Sequence, residues 1–375
     1  MNAPDMSGGL LAVFRETGGA GISSGYSDGP EWAGMERQIS VDVSARSSGS
    51  IRQGGNPRPK RFSVVSYFAG CGGMDLGFQG GFEYKGSKVS RTGLDVIKAY
   101  EFNERAIATY RNNISDHIEL ADLGEMQAAD APAADVLIGG FPCQDFSSCG
   151  PKRGLESTRG MLYMSLIHYI NEHQPKIVIG ENVPNLERMH DGDVMRRIVS
   201  DLEATGYKVK VWKLYAPDFG IPQTRTRLFF VCVRPDLVGF PDQPKPEFGF
   251  PGIPYRSIEW AIDDLVQVTD ETVPNQSQFF LASKAKAGGG QGDETSKRDK
   301  PSYTVRANAK SRVQFHYDLP RRLTVRECAR LQTFPDDFSF GFAATTNIMQ
   351  IGNAVPPILA NKVARSICKF LRSQP

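Results

Sequence analysis

The sequence predicts an α/β fold in which a mostly parallel sheet carries helices on both of its faces. Beyond position 60, short runs rich in β-branched and aromatic residues alternate with stretches of helical periodicity, the pattern expected of βαβ units. The chain has 375 residues, of which 40% are hydrophobic, so it can bury a sizeable core. These observations indicate a large sheet built from βαβ units.

The individual elements follow from the same periodicities. Helices are expected over 103–112, 161–172 and 194–205, the second of which places Leu162, Leu166 and Ile170 on one face. Because only a short loop separates the last two strand-like runs, they are expected to pair antiparallel at an edge of the sheet. The predicted strands are 62–68, 95–100, 118–120, 135–138, 176–179, 207–214 and 227–233.

Composition divides the chain into four parts. Residues 1–60 are rich in Gly, Ser and Arg without apolar periodicity, which predicts a disordered tail. Residues 61–239 carry the α/β pattern and form the main domain. The Pro- and Gly-rich stretch 240–320 predicts a smaller, irregular domain, and 321–375 return to the main one.

Apolar runs, cysteine spacing and charge limit the classes of protein to which the chain could belong. There is no apolar run long enough to span a bilayer and no leader-like start, so a cytoplasmic protein is expected. The six cysteines show no CxxC spacing, which favours free thiols over disulfides or a metal site. The formal charge is only +2, but residues 284–326 hold eleven Lys and Arg against four Asp and Glu. Such a stretch could contact phosphates or be a solvated loop.

Unusual residues follow successive predicted strands. Ligands bind at the carboxyl ends of the strands in an open parallel sheet, so these residues should meet at one edge. The strands end in a glycine loop at 70–73 and then in Glu101, Asp122, Cys143 and Glu181. The sequence therefore brings a thiol and three carboxylates to a candidate ligand site.

The residue types at these positions suggest chemical roles, and some of them also have an ordinary structural explanation. Cys143 could be a nucleophile activated by backbone N–H groups at a helix start, or a small core residue. Glu181 could keep its proton in a partly dry cleft and act as an acid. Arg225 and Arg227 lie two residues apart, so both should point to one face of a strand and could hold a base carbonyl or a phosphate; exposed surface arginines are the alternative.

Six segments of the chain stand in a distinctive order: "FAGCGGMDLGF", "PCQDFS", "ENV", "QTRTR", "RLTVRECARLQTFPD" and "QIGNAVPP". Taken together, they make the chain resemble the cytosine-C5 DNA methyltransferases, over roughly residues 62–236 and 321–360. This resemblance implies a Rossmann-like methyltransferase sheet, a duplex DNA substrate and S-adenosylmethionine as methyl donor, with residues 240–320 as target-recognition domain.

The resemblance assigns roles to individual residues. Cys143 would be the nucleophile, Glu181 the acid, and Arg225 and Arg227 the clamps on the target base. The S-adenosylmethionine site would be formed by Phe68, Gly70, Gly73, Glu101 on the ribose, Phe102 on the adenine, Asp122, Pro142, Asn353 and Val355. Contacts to DNA would come from Gln144, Lys297, Arg298, Lys300, Arg306, Lys310 and Arg312, while polar residues such as Gln314 could read base edges.

The chain departs from the family pattern at three places. Ser66 and Tyr67 stand where the family usually has Asp and Leu, Ser157 stands where the fifth motif usually has Asp, and the segment 83–93 is an insertion. These departures are expected to alter the packing of the cofactor loop more than the chemistry.

Other functions remain open at this level. An RNA methyltransferase acting on transfer RNA is one alternative, although 240–320 lack the Cys-Phe-Thr element of that branch. A catalytically silent DNA-binding relative is another, against which the intact Cys143 and Glu181 argue. An NAD-dependent oxidoreductase fails because GxGG is not the dinucleotide fingerprint. The protein is expected to be a monomer, with a cognate restriction endonuclease as a candidate partner.

Overall fold

A computed structural model describes residues 60–142, 162–279, 294–307 and 313–375. The described residues form a seven-stranded sheet flanked by helices, so the predicted fold class is confirmed. The predicted tail, apart from Lys60, lies outside the described residues.

The first half of the chain alternates strands and helices. A glycine turn separates β1 from α1, and Asn103 caps α2 by accepting hydrogen bonds from the N–H groups of Arg105 and Ala106 at 3.0 and 3.1 Å. Such a cap contributes about 1 kcal/mol. The elements are β1 (Phe62–Tyr67), α1 (Gly73–Gln79), β2 (Phe82–Tyr84), β3 (Ser87–Val89), β4 (Leu94–Glu101), α2 (Glu104–Asn113), β5 (Ile118–Leu120) and β6 (Val136–Gly140).

The second half completes the sheet and ends in helices. The elements are α3 (Met164–His173), β7 (Ile177–Asn182), α4 (Asp193–Glu203), β8 (Lys208–Tyr215), β9 (Thr226–Val233), α5 (Ile258–Ile262), α6 (Val325–Leu331), α7 (Ala344–Asn353) and α8 (Pro357–Ser373). Within the described ranges, no helix combines the length and the apolar character needed to cross a membrane.

The strand order across the sheet is β5-β4-β1-β6-β7-β9-β8. Strands β5, β4, β1, β6 and β7 run parallel, whereas β9 is antiparallel to both β7 and β8. The predicted antiparallel pair at the edge is therefore confirmed. Because β9 runs backwards, its first residues lie beside the last residues of β7.

Two hydrophobic cores cover the two faces of the sheet. Successive residues of a strand point to opposite faces, so Val64 packs into one core and Val65 into the other. Helices α1 and α8 cover the first face through residues such as Phe78 and Val363, and α3 and α4 cover the second. This double cover explains why the strands read as continuous apolar runs.

A third core joins the predicted recognition domain to the C-terminal part. Ile258, Val305 and Val313 pack in one cluster with Leu323 and Phe334. The apolar core thus continues across position 320. The boundaries 240–320 and 321–375 stay predictions.

The insertion folds as a hairpin that is not among the predicted strands. Strands β2 and β3 pair antiparallel, and the Tyr84 hydroxyl donates to the Arg330 carbonyl at 2.7 Å. The departure at Ser66 is also accommodated locally, because its hydroxyl donates to Asp75 Oδ1 at 2.7 Å inside the core. The third departure, Ser157, lies outside the described residues.

Candidate active site

The candidate residues gather at the carboxyl edge of the sheet. Strands β1, β4, β6 and β7 all end there because they are parallel. The reversed β9 brings its beginning, next to Arg227, to the same edge, with Asn182 paired to Leu228. Sheet topology therefore places Glu101, Glu181 and Arg227 on one side of the molecule.

The glycine loop after β1 is held by Glu101. Phe68 and Gly70 both have left-handed backbone angles, with φ of 55° and 57°. Glu101 accepts hydrogen bonds from the N–H of Gly70 at 2.8 Å and from the N–H of Asn103 at 2.9 Å. Each carboxylate oxygen keeps a second lone pair, so the group can still accept hydrogen bonds from a diol.

The tenth-motif segment packs directly on this loop. A Cβ at Gly73 would lie 2.6 Å from the carbonyl oxygen of Val355, closer than atoms can approach. Gly73 is therefore needed for the contact. Val355 is buried and Asn353 is exposed, and their part in a cofactor pocket stays a prediction.

Further candidates for the cofactor pocket are exposed. The ring of Phe102 is 67% exposed, a large unburied aromatic surface next to Glu101. Asp122 is exposed, and its Oδ1 accepts from the N–H of Gly124 at 2.9 Å. Pro142 is exposed beyond the end of β6. An aromatic face and carboxylates beside an open glycine loop suit a nucleoside.

Glu181 and Arg227 form a buried ion pair at the end of β7. Arg227 Nε lies 2.7 Å from Glu181 Oε1, and each residue is only 8% exposed. Burial raises the pKa of the Glu181 carboxyl, while the charges of Arg227 and Arg225 oppose that rise. A carboxyl with a raised pKa can hold a proton for transfer.

The other oxygen of Glu181 faces the end of β6. A Cβ at Gly140 would come within 3.1 Å of Glu181 Oε2, so the glycine leaves this oxygen room. Asn182 ties the two strand ends together, since its amide donates to the Phe141 carbonyl at 3.1 Å. The chain from Phe141 leads directly to Cys143, which lies with Gln144 outside the described residues.

The four described cysteines have buried thiols. Burial raises the pKa of each one, in the case of Cys71 to about 12. A thiol with such a pKa is a poor nucleophile at neutral pH. The set comprises Cys71, Cys232, Cys328 and Cys368.

The environment of Arg225 differs from that predicted for a base clamp. Arg225 is 1% exposed, and its guanidinium donates to the carbonyls of Val305 at 3.0 Å, Gly352 at 2.7 Å and Ala354 at 3.0 Å. Burial lowers the pKa of this arginine well below its ordinary value, and the charge of Arg227 adds to the effect. The two terminal nitrogens of Arg225 thus donate to backbone carbonyls, whereas Arg227 pairs with Glu181, and the role of Arg225 as a base clamp stays a prediction.

Arg225 belongs to a buried polar cluster with Gln223 and Gln332. The Gln223 amide donates to the Leu331 carbonyl at 2.7 Å, and Gln332 donates to the Ile351 carbonyl at 2.8 Å. The cluster joins the start of β9 to the segments before 306 and after 350. Gln332 was missed from sequence because a single glutamine after helix α6 carries no distinctive signal.

The basic residues of the recognition region that were predicted to contact DNA differ in their ion pairs and in their exposure. Arg298 is 2.7 Å from Glu259 and 2.9 Å from Asp318. Lys300 lies 3.5 Å from Asp299, whereas Lys297 is exposed. Arg306 is half-buried. Lys310 and Arg312 lie outside the described residues.

Gln314 does not match its expected role in base reading. It is 5% exposed, its Oε1 accepts from the Ser296 hydroxyl at 2.7 Å, and its amide donates to the Tyr303 carbonyl at 2.8 Å. These bonds make it part of the internal scaffold. Among the described residues there is also no cluster of three or more potential metal-ligating side chains.

The sequence that forms this site is similar to those of known proteins. Residues 62–369 match the family model of the C-5 cytosine-specific DNA methylases. The chain is 34% identical to the Type II methyltransferase M.NgoFVII of Neisseria gonorrhoeae, over 83% of this chain and 88% of that protein. It is 31% identical to the Type II methyltransferase M.BspRI of Lysinibacillus sphaericus, over 83% and 82% of the two chains.

A solved structure shares the fold. The S. pombe Dnmt2 methyltransferase superposes with a TM-score of 0.62 at 19% identity, covering 83% of this chain and 98% of that one.

Proposed function

The chain belongs to the C-5 cytosine-specific DNA methylases, and from that premise we propose how its own residues transfer a methyl group to carbon 5 of cytosine in DNA. Cys143 is the nucleophile, Glu181 is the acid, and Arg227 holds the acid and the target base. The base must leave the duplex to reach them, at a cost of a few kcal/mol.

The chemistry requires a thiol and an acid side by side. Attack of the Cys143 thiolate forms a bond to carbon 6, and the displaced electron pair makes carbon 5 nucleophilic. A proton from Glu181 to N3 offsets the negative charge on the ring during this step. After carbon 5 is methylated, loss of its proton to a base expels the thiolate, and return of the N3 proton to Glu181 restores the neutral aromatic ring and the acid.

The buried pair of Glu181 and Arg227 is the observation that carries this proposal. The pair lies at the end of β7, and the adjacent β6 runs into the Cys143 segment. Arg227 Nε contacts Glu181 Oε1, while Oε2 faces the Gly140 side. The carboxyl is thus held by one oxygen and can present the other to a base near Cys143.

S-adenosylmethionine supplies the electrophilic methyl group on its sulfonium. Three features of the carboxyl edge fit this molecule: the open space above Gly70, the carboxylate of Glu101 and the exposed face of Phe102. We assign Glu101 to the ribose hydroxyls and Phe102 to the adenine ring. Phe68, Gly73, Asp122, Pro142, Asn353 and Val355 would border the same pocket.

Arg225 is proposed as a positioning residue. Its three carbonyl acceptors lie in the segment before Arg306 and in the tenth-motif loop. It would therefore hold the recognition region and the cofactor loop in register with β9.

Duplex DNA is the proposed substrate, contacted by Gln144, Lys297, Lys300, Arg306, Lys310 and Arg312, with a smaller contribution from Arg298. A cognate endonuclease is proposed on the naming of the relatives as Type II methyltransferases, and a monomeric state is proposed as well. Bisulfite sequencing of DNA from cells that express the protein would reveal the modified sequence.

The covalent step has a direct test. Incubation with S-adenosylmethionine and duplexes that carry 5-fluorocytosine at the modified position should trap an adduct, because fluorine cannot leave as the proton does. Peptide mass spectrometry should map the adduct to Cys143. An adduct on another side chain, or a transfer RNA substrate methylated in preference to duplex DNA, would overturn the proposal.

A further inference from the structure

The C-terminal helix α8 presents a solvent face whose charges are all basic. Its apolar face packs on the sheet through Leu359, Val363 and Ile367. The helix contains no acidic residue, and its four cations recur at spacings of three and four, which places them on one side. These are Lys362, Arg365, Lys369 and Arg372. Like charges at this spacing destabilise a helix unless an anion compensates them.

A basic cavity lies between this helix and the segment before β4. It has a volume of about 290 Å³ and contains no acidic side chain in its lining, which consists of Arg91, Thr92, Arg365, Cys368, Lys369 and Arg372. Arg365 Nε donates to Asn361 Oδ1 at 2.9 Å, and Arg372 donates to the Thr92 carbonyl at 3.2 Å. Because these acceptors are neutral, they orient the guanidinium groups without neutralising their positive charge.

Few carboxylates balance this charge. Over the ranges that the structure describes, the ion pairs include none from Arg91, Arg365 or Arg372 to a carboxylate. Lys369 lies 3.4 Å from Asp242, but both side chains are 80% exposed, so solvent weakens the pair.

A larger groove continues the same surface. Its volume is about 570 Å³, and it shares Arg365 with the smaller cavity. Arg256 lies 5.3 Å from the ring of Phe248 and 4.6 Å from that of Trp260. Glu247 pairs with Lys362 at 2.5 Å. We call the remaining cations of the two cavities the basic face: Lys88, Arg91, Lys245, Arg256, Arg365, Lys369 and Arg372.

The basic face is separate from the candidate active site. Thr92 precedes β4, and Glu101 ends it, so eight residues of strand separate the two, or about 25 Å. No candidate catalytic or cofactor residue lines either cavity. The hairpin β2–β3 contributes Lys88, so the insertion helps to build this face.

The dimensions suit an extended polyanion. From Arg365 to Arg372 the helix rises about 10 Å. One DNA strand carries a phosphate every ~3.4 Å of helix axis, so this length covers about three phosphates. A single small anion would occupy only part of it.

We propose that the basic face binds the phosphate backbone of duplex DNA outside the segment held in the catalytic cleft. This inference rests on the proposed function, because the substrate itself supplies the polyanion. The contact is independent of sequence, strengthens binding to long DNA and weakens with salt.

A charge-matched pair of variants tests the proposal. The first combines Arg91→Gln, Arg365→Gln and Lys369→Gln, all exposed. The control combines Arg196→Gln, Arg197→Gln and Lys210→Gln, which remove the same charge from α4 and β8. Fluorescence anisotropy measures affinity for a non-target duplex of about 40 base pairs over a salt series.

The basic-face variant should bind with a log affinity against log salt slope shallower by about 2 to 3, and at least about tenfold more weakly at ~0.05 M salt. The control should keep the wild-type slope. Methyl transfer to a short duplex that covers only the recognised site should be unchanged in both variants.

Equal slopes for the two variants would overturn the proposal. The proposal would also be overturned if the basic-face variant lost binding of inorganic phosphate but kept the wild-type salt slope for DNA binding. The basic face would then bind free anions. Failure of the proposed function is distinguishable, since it would appear as absent methyl transfer by the wild-type enzyme whatever the binding slopes.

Discussion

Two arginines that are two residues apart in sequence lie in chemically different surroundings. Arg225 belongs to the buried polar cluster, where backbone carbonyls accept its hydrogen bonds. Arg227 meets the carboxylate of Glu181, whose second oxygen faces the Gly140 side. Both arginines are buried, so burial alone does not distinguish a scaffold residue from a reactive one. The two are distinguished by the group that each guanidinium contacts.

The largest effect is expected for Cys143→Ala, which removes the proposed nucleophile. Methyl transfer should fall by at least about 10⁴-fold, while DNA binding stays close to that of the wild type. Initial rates with labelled S-adenosylmethionine and gel-shift titrations measure the two quantities. Cys232→Ala is the matched control, because that thiol is buried in β9; near-normal turnover by Cys143→Ala would remove the basis of the mechanism.

Glu181→Gln tests the reactive side of the comparison. The rate should fall by about 10² to 10⁴, because a general acid acts in the transition state, and S-adenosylmethionine affinity should hardly change. Burial raises the pKa of the wild-type carboxyl. Its protonated fraction therefore falls as pH rises through that pKa, and the wild-type rate should decline along that limb.

The pH profile of single-turnover rates provides the control for this variant. Glu181→Gln cannot lose a proton, so its profile should lack the alkaline decline that the wild type shows. A profile with the same decline in both proteins would assign the titration to another group.

Arg225→Met and Arg227→Met separate scaffold from chemistry. Arg225→Met leaves the buried carbonyls of Val305 and Gly352 without their donor, while Gln332 still donates to the Ala354 carbonyl, and should lower the free energy of unfolding by about 2 kcal/mol or more. Arg227→Met should reduce turnover by a larger factor than the factor by which it reduces the equilibrium constant for folding. Urea unfolding and initial rates on both variants decide the matter. A stable but inactive Arg225→Met enzyme would return that residue to the role of base clamp.

The smallest effects concern the recognition region. Lys297→Gln removes an exposed cation and should make the salt slope of DNA binding shallower by about 1. Arg298→Gln should change it less, because carboxylates of Glu259 and Asp318 already accompany that guanidinium. Titrations of both variants at several salt concentrations are the measurement. Equal slope changes would show that Arg298 leaves its carboxylates to contact DNA.

The fold was largely predictable because burial on two faces leaves a strong periodic signal. All seven predicted strands occur in the sheet, with ends that differ by a few residues. The hairpin β2–β3 was missed since each strand has only three residues. The strand-end rule correctly brought Glu101 and Glu181 to one edge.

The partners of Arg225 could not be predicted in this way. They are backbone carbonyls of Val305, Gly352 and Ala354, far along the chain. Every residue type has a carbonyl, so sequence offers no pattern to detect. The same limit applies to Gln314, whose polar side chain suggested base reading although its partners are internal.

The contact between Gly73 and Val355 has a consequence for biosynthesis. About 280 residues separate these two positions, so the glycine loop emerges from the ribosome long before its covering segment exists. At typical translation rates of roughly 5–20 residues per second, the loop waits on the order of tens of seconds. The nascent chain should therefore lack the covered form of the glycine loop until synthesis has passed Val355.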